Sequence, residues 1–298
     1  MRLLRNLLIL AVLAGGVMFW LTLPKPLGAS EVAGLQGDAT KGERIFWAAG
    51  CASCHMAVDA KGDQQLVLKG GQRFASPFGA FLAPNISQDP DQGIGKWTLL
   101  DLTNALTRGV SATGEHLYPA LPYASYTKMA LTDVADLYAY LKTLPADPTP
   151  SQPHELGFPF DIRMSLGGWK LLFLSDDWAV PGNLTPTEDR GRYIAEALAH
   201  CGECHTPRNA LGGMDKSRWL AGAPDPSDPT GRARIPNITP AKLTWSQADI
   251  VAYLTTGFTP EFDSVGGHMA HVVENFGKLP KEDAEAVAAY LKRVAPVQ

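Results

Sequence analysis

The chain has 298 residues, 45% of them hydrophobic and 19% charged, with a formal net charge of −4. That balance belongs to a folded chain rather than a disordered polyelectrolyte, and no basic tract offers a surface for nucleic acid. The 29 glycines and 23 prolines are spread along the chain and imply many loops between short helices.

Arg2 and Arg5 precede an uncharged stretch from Asn6 to Thr22, which closes at Pro24-Lys25-Pro26. As a helix, Leu7 to Leu23 would span roughly 25 Å, near the ~30 Å hydrocarbon core of a bilayer. The arginines would stay inside and Trp20 would sit at the outer interface. Residues 1–30 therefore read as an export signal or anchor. Retention is preferred because the apolar run exceeds a usual signal core of about 7–15 residues, although Leu27-Gly28-Ala29-Ser30 offers small residues for cleavage and a soluble periplasmic form. Either way the remainder is expected in the periplasm, outside a bacterial inner membrane.

Two copies of one pentapeptide come next, Cys51-Ala52-Ser53-Cys54-His55 and Cys201-Gly202-Glu203-Cys204-His205, and they use every cysteine. C-x-x-C-H is a haem attachment pattern: each thiol adds across a vinyl group as a thioether, and the adjacent histidine becomes an iron ligand. Zinc ribbons place their C-x-x-C pairs roughly 15–20 residues apart, and a thioredoxin-like site needs a βαβ setting. Neither condition is met. The expectation is two covalently bound c-type haems, on Cys51 and Cys54 and on Cys201 and Cys204, with His55 and His205 as iron ligands.

The repeat extends beyond these motifs. Pro84-Asn85-Ile86-Ser87 recurs as Pro236-Asn237-Ile238-Thr239, Trp97 to Gly109 as Trp245 to Gly257, and Tyr138 to Lys142 as Ala288 to Lys292. Each half reads as three helices with almost no strand signal. The first precedes the motif, through Gly42 to Phe46 or Gly191 to Ile194. The second opens at a capping box, Thr98-x-x-Asp101 or Ser246-x-x-Asp249, and stops at Gly109 or Gly257. The third carries Val134, Leu137, Tyr138 and Leu141, or Val287, Tyr290, Leu291 and Val294, on one face. Domains are placed at 31–145 and 185–298. Such small helical units bury little apolar surface alone, and a porphyrin would supply the missing core. The strap between them, 146–184, carries the apolar run Ile162 to Leu174, read as packed between the domains or, alternatively, as a surface for membrane or partner.

A low-spin haem needs a sixth ligand, and methionine is the choice when the potential is high. In the second half Met269 is preferred, with Gly266-Gly267 ahead of it; His268 and His271 are alternatives, and Met214 is read as packing at the haem edge. In the first half the position matching Met269 is Leu121, which cannot bind iron. Met129 is the choice there, against a core role matching Leu279, a His116 ligand, or an open iron.

Gly79 to Asp89, Gly93 to Trp97 and His116 to Tyr123 resemble the cytochrome c subunits of membrane-bound alcohol and aldehyde dehydrogenases, and His200 to Asn209 and Phe258 to Gly267 are similar to the two-haem members of that group. The resemblance implies an all-α fold, a tandem repeat of two class I cytochrome c domains after an N-terminal anchor helix. It further implies electron transfer from a dehydrogenase to a quinone, terminal oxidase or cytochrome of the respiratory chain. Many of those subunits carry three haem motifs and a methionine where Leu121 stands. The alternative function is a di-haem redox enzyme, peroxidase-like, with an open first iron; the preferred reading has no catalytic residues.

Overall fold

The computed structural model describes residues 1–228 and 230–298. Helix α1 (Arg2–Leu21) buries none of its side chains against the rest of the chain. At 1.5 Å per residue its 20 residues cover about 30 Å, the thickness of a hydrocarbon core. The following helices are α2 (Ala39–Ala48), α3 (Cys51–His55), α4 (Leu99–Arg108), α5 (Tyr123–Tyr126) and α6 (Leu131–Leu141). Then come α7 (Ser165–Phe173) in the strap, α8 (Pro186–Arg192), a π-helical segment (Tyr193–Leu198), α9 (Gly202–His205), α10 (Gln247–Thr256), α11 (Met269–Phe276) and α12 (Lys281–Arg293).

Local chemistry accounts for the regular helices. Thr98 and Asp101 close a reciprocal capping box on α4, Ser246 and Asp249 do the same for α10, and each helix ends at a left-handed glycine, Gly109 or Gly257. Two features depart from three helices per half with almost no strands. The short helices α5 and α11 stand between the second and last long helix of each half. Strands β1 (Arg73–Ser76) and β2 (Gly79–Leu82) form an antiparallel hairpin, and β3 (Glu155–Leu156) from the strap adds to β2. A small pair, β4 (Ala223–Pro224) with β5 (Arg234–Ile235), lies in the second half. The hairpin needs glycine at its turn: Gly79 has φ +125°, and a Cβ there would lie 2.2 Å from the Glu155 carbonyl oxygen.

In each half the helix before the motif crosses the last helix at backbone contact. A Cβ on Gly42 of α2 would lie 1.9 Å from Asp136 O in α6, and one on Gly191 of α8 would lie 1.9 Å from Ala286 O in α12. The sequences differ between crossing and motif by one residue, since Gly42 precedes Cys51 by nine positions and Gly191 precedes Cys201 by ten. The π-helical segment absorbs the extra residue: Ala199 N donates to Ile194 O, five residues back, at 2.7 Å. Both halves then turn through left-handed backbone into the motif, at Gly50 (φ +66°) and at His200 (φ +42°).

One apolar cluster runs through both halves, from Ile45, Phe46 and Leu137 to Ile194, Leu198 and Tyr290. Polar contacts between the halves come in reciprocal pairs. Arg44 donates to the Asp283 carboxylate from Nε at 2.8 Å and Nη2 at 2.6 Å. One repeat away, Tyr193 takes the place of Arg44 and donates from Oη to Asp133 Oδ2 at 2.6 Å. Asn275 Nδ2 donates to Ser53 Oγ at 2.9 Å, and its counterpart Ser125 donates from Oγ to Glu203 Oε1 at 3.2 Å.

Candidate cofactor site

Both C-x-x-C-H segments are short helices, α3 whole and α9 from its second residue, so each histidine is brought over the turn that carries its cysteines. His55 Nδ1 lies 2.8 Å from Pro84 O and His205 Nδ1 lies 2.8 Å from Pro236 O. A carbonyl only accepts, so Nδ1 carries the proton in both rings and Nε2 keeps its lone pair free. This is the role of the repeated Pro-Asn-Ile segment. Its asparagine fastens it in turn: Asn85 Nδ2 donates to Asp147 O and Thr149 O at 2.8 Å, and Asn237 Nδ2 donates to Val297 O at 2.8 Å. A second matched pair of bonds closes each motif, Gly70 N to His55 O and Gly222 N to His205 O, both 2.7 Å.

No disulfide joins any of the four cysteines. Burial pushes Cys51 up to about 12, with Cys54 adding to the shift, and pushes Cys201 up to about 12 as well. Cys54 is raised to about 11, by burial first and then by the charge of Cys204 in the other motif. Thiols raised in this way hold little of the thiolate form that drives dithiol exchange. Among the described residues no three His, Cys, Asp or Glu side chains converge as metal ligands.

The methionine candidates occupy different settings. Met269 is half-buried at the first position of α11 and packs against the central cluster, as does Leu121 at the matching place in the first half. Met129 is 5% exposed within that cluster, its N–H donating to Tyr126 O at 2.9 Å, while Leu279 N donates to Phe276 O at 3.1 Å in the same turn. Met214 packs on the cluster and forms a bridge to Arg208. His268 is exposed beside the Phe74 ring, with ring centres 5.9 Å apart. His271 lies half-buried in α11.

His116 is committed elsewhere, which removes it as a first-half ligand in this conformation. Its Nε2 lies 2.8 Å from Thr22 O and its Nδ1 lies 3.1 Å from Lys170 Nζ. Lys170 also donates to Arg108 O at 2.8 Å and Gly109 O at 2.7 Å, and burial lowers its amine to about 8. Tyr123, fully buried between Gly109 and Trp169, keeps a hydroxyl with no partner among the described residues, a polar atom left for a group the protein itself does not supply.

Helical motifs that bear two thiols and one oriented histidine define a covalent haem-binding protein, and residues 39–145 match the Cytochrome c family. The chain belongs to that family, whose members carry electrons on haem c. It is 56% identical over 98% of its length to "Diheme cytochrome c-type" of Cereibacter sphaeroides, covering 97% of that protein. It is 39% identical to the fructose dehydrogenase cytochrome subunit of Gluconobacter japonicus over 91% of this chain and 55% of that one. Likewise it is 32% identical to the cytochrome c subunit of the quinone alcohol dehydrogenase of Gluconacetobacter polyoxogenes, over 86% of this chain and 56% of that one. It thus spans about half the length of the two dehydrogenase subunits. The residues fit haem c: each motif offers two unpaired cysteines and a histidine with its Nε2 free.

Proposed function

We propose that the chain is a di-haem electron carrier of two tandem cytochrome c domains, 31–145 and 185–298, joined by the strap 146–184 and held to the inner membrane by residues 1–30. The carrying observation is the repeated histidine arrangement, in which each motif has its own proline carbonyl on Nδ1. The reciprocal pairs, Arg44 with Asp283 against Tyr193 with Asp133, and Asn275 with Ser53 against Ser125 with Glu203, support two like units related by an approximate two-fold axis.

Haem c supplies one-electron chemistry at iron when bound. The chain's own residues decide how it is held. Cys51, Cys54, Cys201 and Cys204 anchor it as thioethers, so it cannot dissociate between donor and acceptor. Pro84 and Pro236 fix the tautomer and ring plane of His55 and His205, and the accepted N–H raises their basicity toward the metal. Met269 and Met129 would complete the ligand sets of the two groups, and methionine ligation favours a high potential. The bonds from Asn275 to Ser53 and from Ser125 to Glu203 tie each motif to the other half, which supports direct exchange between the two sites. The names of the relatives support a dehydrogenase as donor, and one of them names a quinone; the proposed setting is the periplasm, with a quinone, terminal oxidase or second cytochrome of the respiratory chain as acceptor.

The test is the alkaline pyridine spectrum of the purified full chain against its protein concentration. Two haems per chain are expected; one per chain, or haem released by acid acetone, would overturn the reading. Peroxide consumption by the oxidised chain would instead favour the enzyme with an open first iron.

A further inference from the structure

The outer face of the strap is apolar, and it begins at the foot of α1. Thr22, the residue after α1, is bonded through its carbonyl by His116, and Gly167 of α7 lies so close that a Cβ there would sit 2.0 Å from Thr22 O. Helix α7 therefore lies where α1 leaves the membrane. Of the charges in this segment, Lys170 turns inward onto the carbonyls of Arg108 and Gly109, while Asp161 and Arg163 stay exposed, Arg163 donating from Nη1 to His116 O at 3.1 Å and lying 4.8 Å from the Tyr118 ring centre. What points outward is Phe158 at 82% exposure, Leu172 at 67%, and Phe160, Ile162, Met164 and Leu171.

A water-facing surface keeps such cations outside and its large apolar groups inside. Here six large apolar side chains stand outside, Asp161 and Arg163 lie at their edge, and Lys170 is drawn in. A cluster of this kind marks an interaction site, and its position names the partner. An interfacial segment sinks about 5–10 Å into the headgroup and acyl boundary. Leu172 lies five residues along α7 from Gly167, roughly 7.5 Å at helical rise, so the exposed apolar side chains stay close beside the α1 exit. We propose that the outer face of residues 158–172 rests in the interface of the bilayer that α1 spans, giving the chain a second, in-plane attachment that fixes the tilt of the haem-bearing part over the membrane. The inference rests on α1 being retained as an anchor.

The full haem-loaded chain in phosphatidylcholine–phosphatidylglycerol nanodiscs tests it. The native cysteines are consumed as thioethers, so Leu172→Cys, Leu10→Cys and Val58→Cys each take a spin label at one place. Collision with oxygen, enriched in lipid, is compared with collision with a water-soluble nickel chelate. The expected result is a Leu172 label that favours oxygen, as the Leu10 label in α1 does, while the exposed Val58 label favours nickel. A nickel-accessible Leu172 label beside a lipid-buried Leu10 label overturns the inference and leaves the anchor intact; if that Leu172 label loses nickel access only when a dehydrogenase is added, the face docks protein instead. An intact mass lacking α1 overturns the anchor reading and this inference together.

Discussion

The contact between the halves turns on one carboxylate. Asp283 is 1% exposed and receives both Arg44, from the first half, and Arg190, at 3.0 and 3.3 Å, from its own half. Asp283→Ala would leave two guanidinium groups without a partner. Breaking a fully buried pair costs about 3–5 kcal/mol. Here Arg44 and Arg190 keep 42% and 33% of their side-chain surface in water and can rehydrate, so the expected loss is about 2 kcal/mol. For a cooperative unit of this size that lowers Tm by about 5 °C. The assay is thermal unfolding of the haem-loaded chain by circular dichroism, with Asp133→Ala beside it. Asp133 accepts a single hydroxyl hydrogen bond from Tyr193 and its removal should cost only about 1 kcal/mol. A loss at Asp283 below about 0.5 kcal/mol, or no coupling between Asp283→Ala and Arg44→Ala in a double-mutant cycle, would refute the argument.

The same carboxylate sets a pH dependence. Burial alone would raise its pKa, yet the hydrogen bonds from Arg44 and Arg190 hold it below the usual value. A depressed folded pKa stabilises the protein above the unfolded pKa, near about 4, and that stabilisation is lost as pH falls through the folded value. The wild-type chain should therefore lose Tm faster than Asp283→Asn between pH 5 and 3, on the order of the unfolded carboxylate range; parallel curves would refute the assignment. Met269→Ala and Met129→Ala should each remove about half of the weak long-wavelength band of methionine-ligated ferric haem. Loss with Met269→Ala alone would place Met129 in the core role of Leu279. Gly42→Ala and Gly191→Ala each put a methyl 1.9 Å from a carbonyl oxygen, forcing the crossing helices apart by more than 1 Å, and should cost about 3 kcal/mol in thermal or denaturant unfolding. A shift under about 0.5 kcal/mol would mean that the crossing is looser than the contact implies.

What the sequence disclosed was chemistry that needs neighbours along the chain. Two thiols and a histidine must sit on one short turn, so C-x-x-C-H survives as a readable string, and a capping box needs only four consecutive residues. The hairpin of β1 and β2 escaped notice because its strands are four residues each and its third partner, β3, lies some seventy positions away at Glu155. Helices α5 and α11 were hidden among loop residues, and α5 is only four residues long. The Pro-Asn-Ile repeat was visible, but not its use, since Pro84 meets His55 across 29 positions. His116 had the right chemistry for iron, and only its contacts with Thr22 and Lys170, 94 and 54 positions away, show it spent.

The extra residue before the second motif shows how far pattern alone could have gone. The spacing of nine against ten between the crossing glycine and the first cysteine is present in the sequence and marks an insertion. A loop would ordinarily take it up, but here both ends are pinned, by Gly191 on Ala286 and by Cys201 in its motif, so the helix itself must widen. The widened turn carries Glu196, buried at 1% exposure, which accepts from Tyr290 Oη at 2.6 Å and from the strap amides of Ala179 and Val180 at 2.6 and 3.1 Å. Trp219 Nε1 completes the chain of bonds by donating to Tyr290 Oη at 2.9 Å. The first half, without the insertion, packs the apolar Phe46 against Tyr140 at the corresponding crossing. One inserted residue therefore accompanies a polar network that ties Ala179 and Val180, at the end of the strap, to the second half, and the two halves differ where that end of the strap attaches.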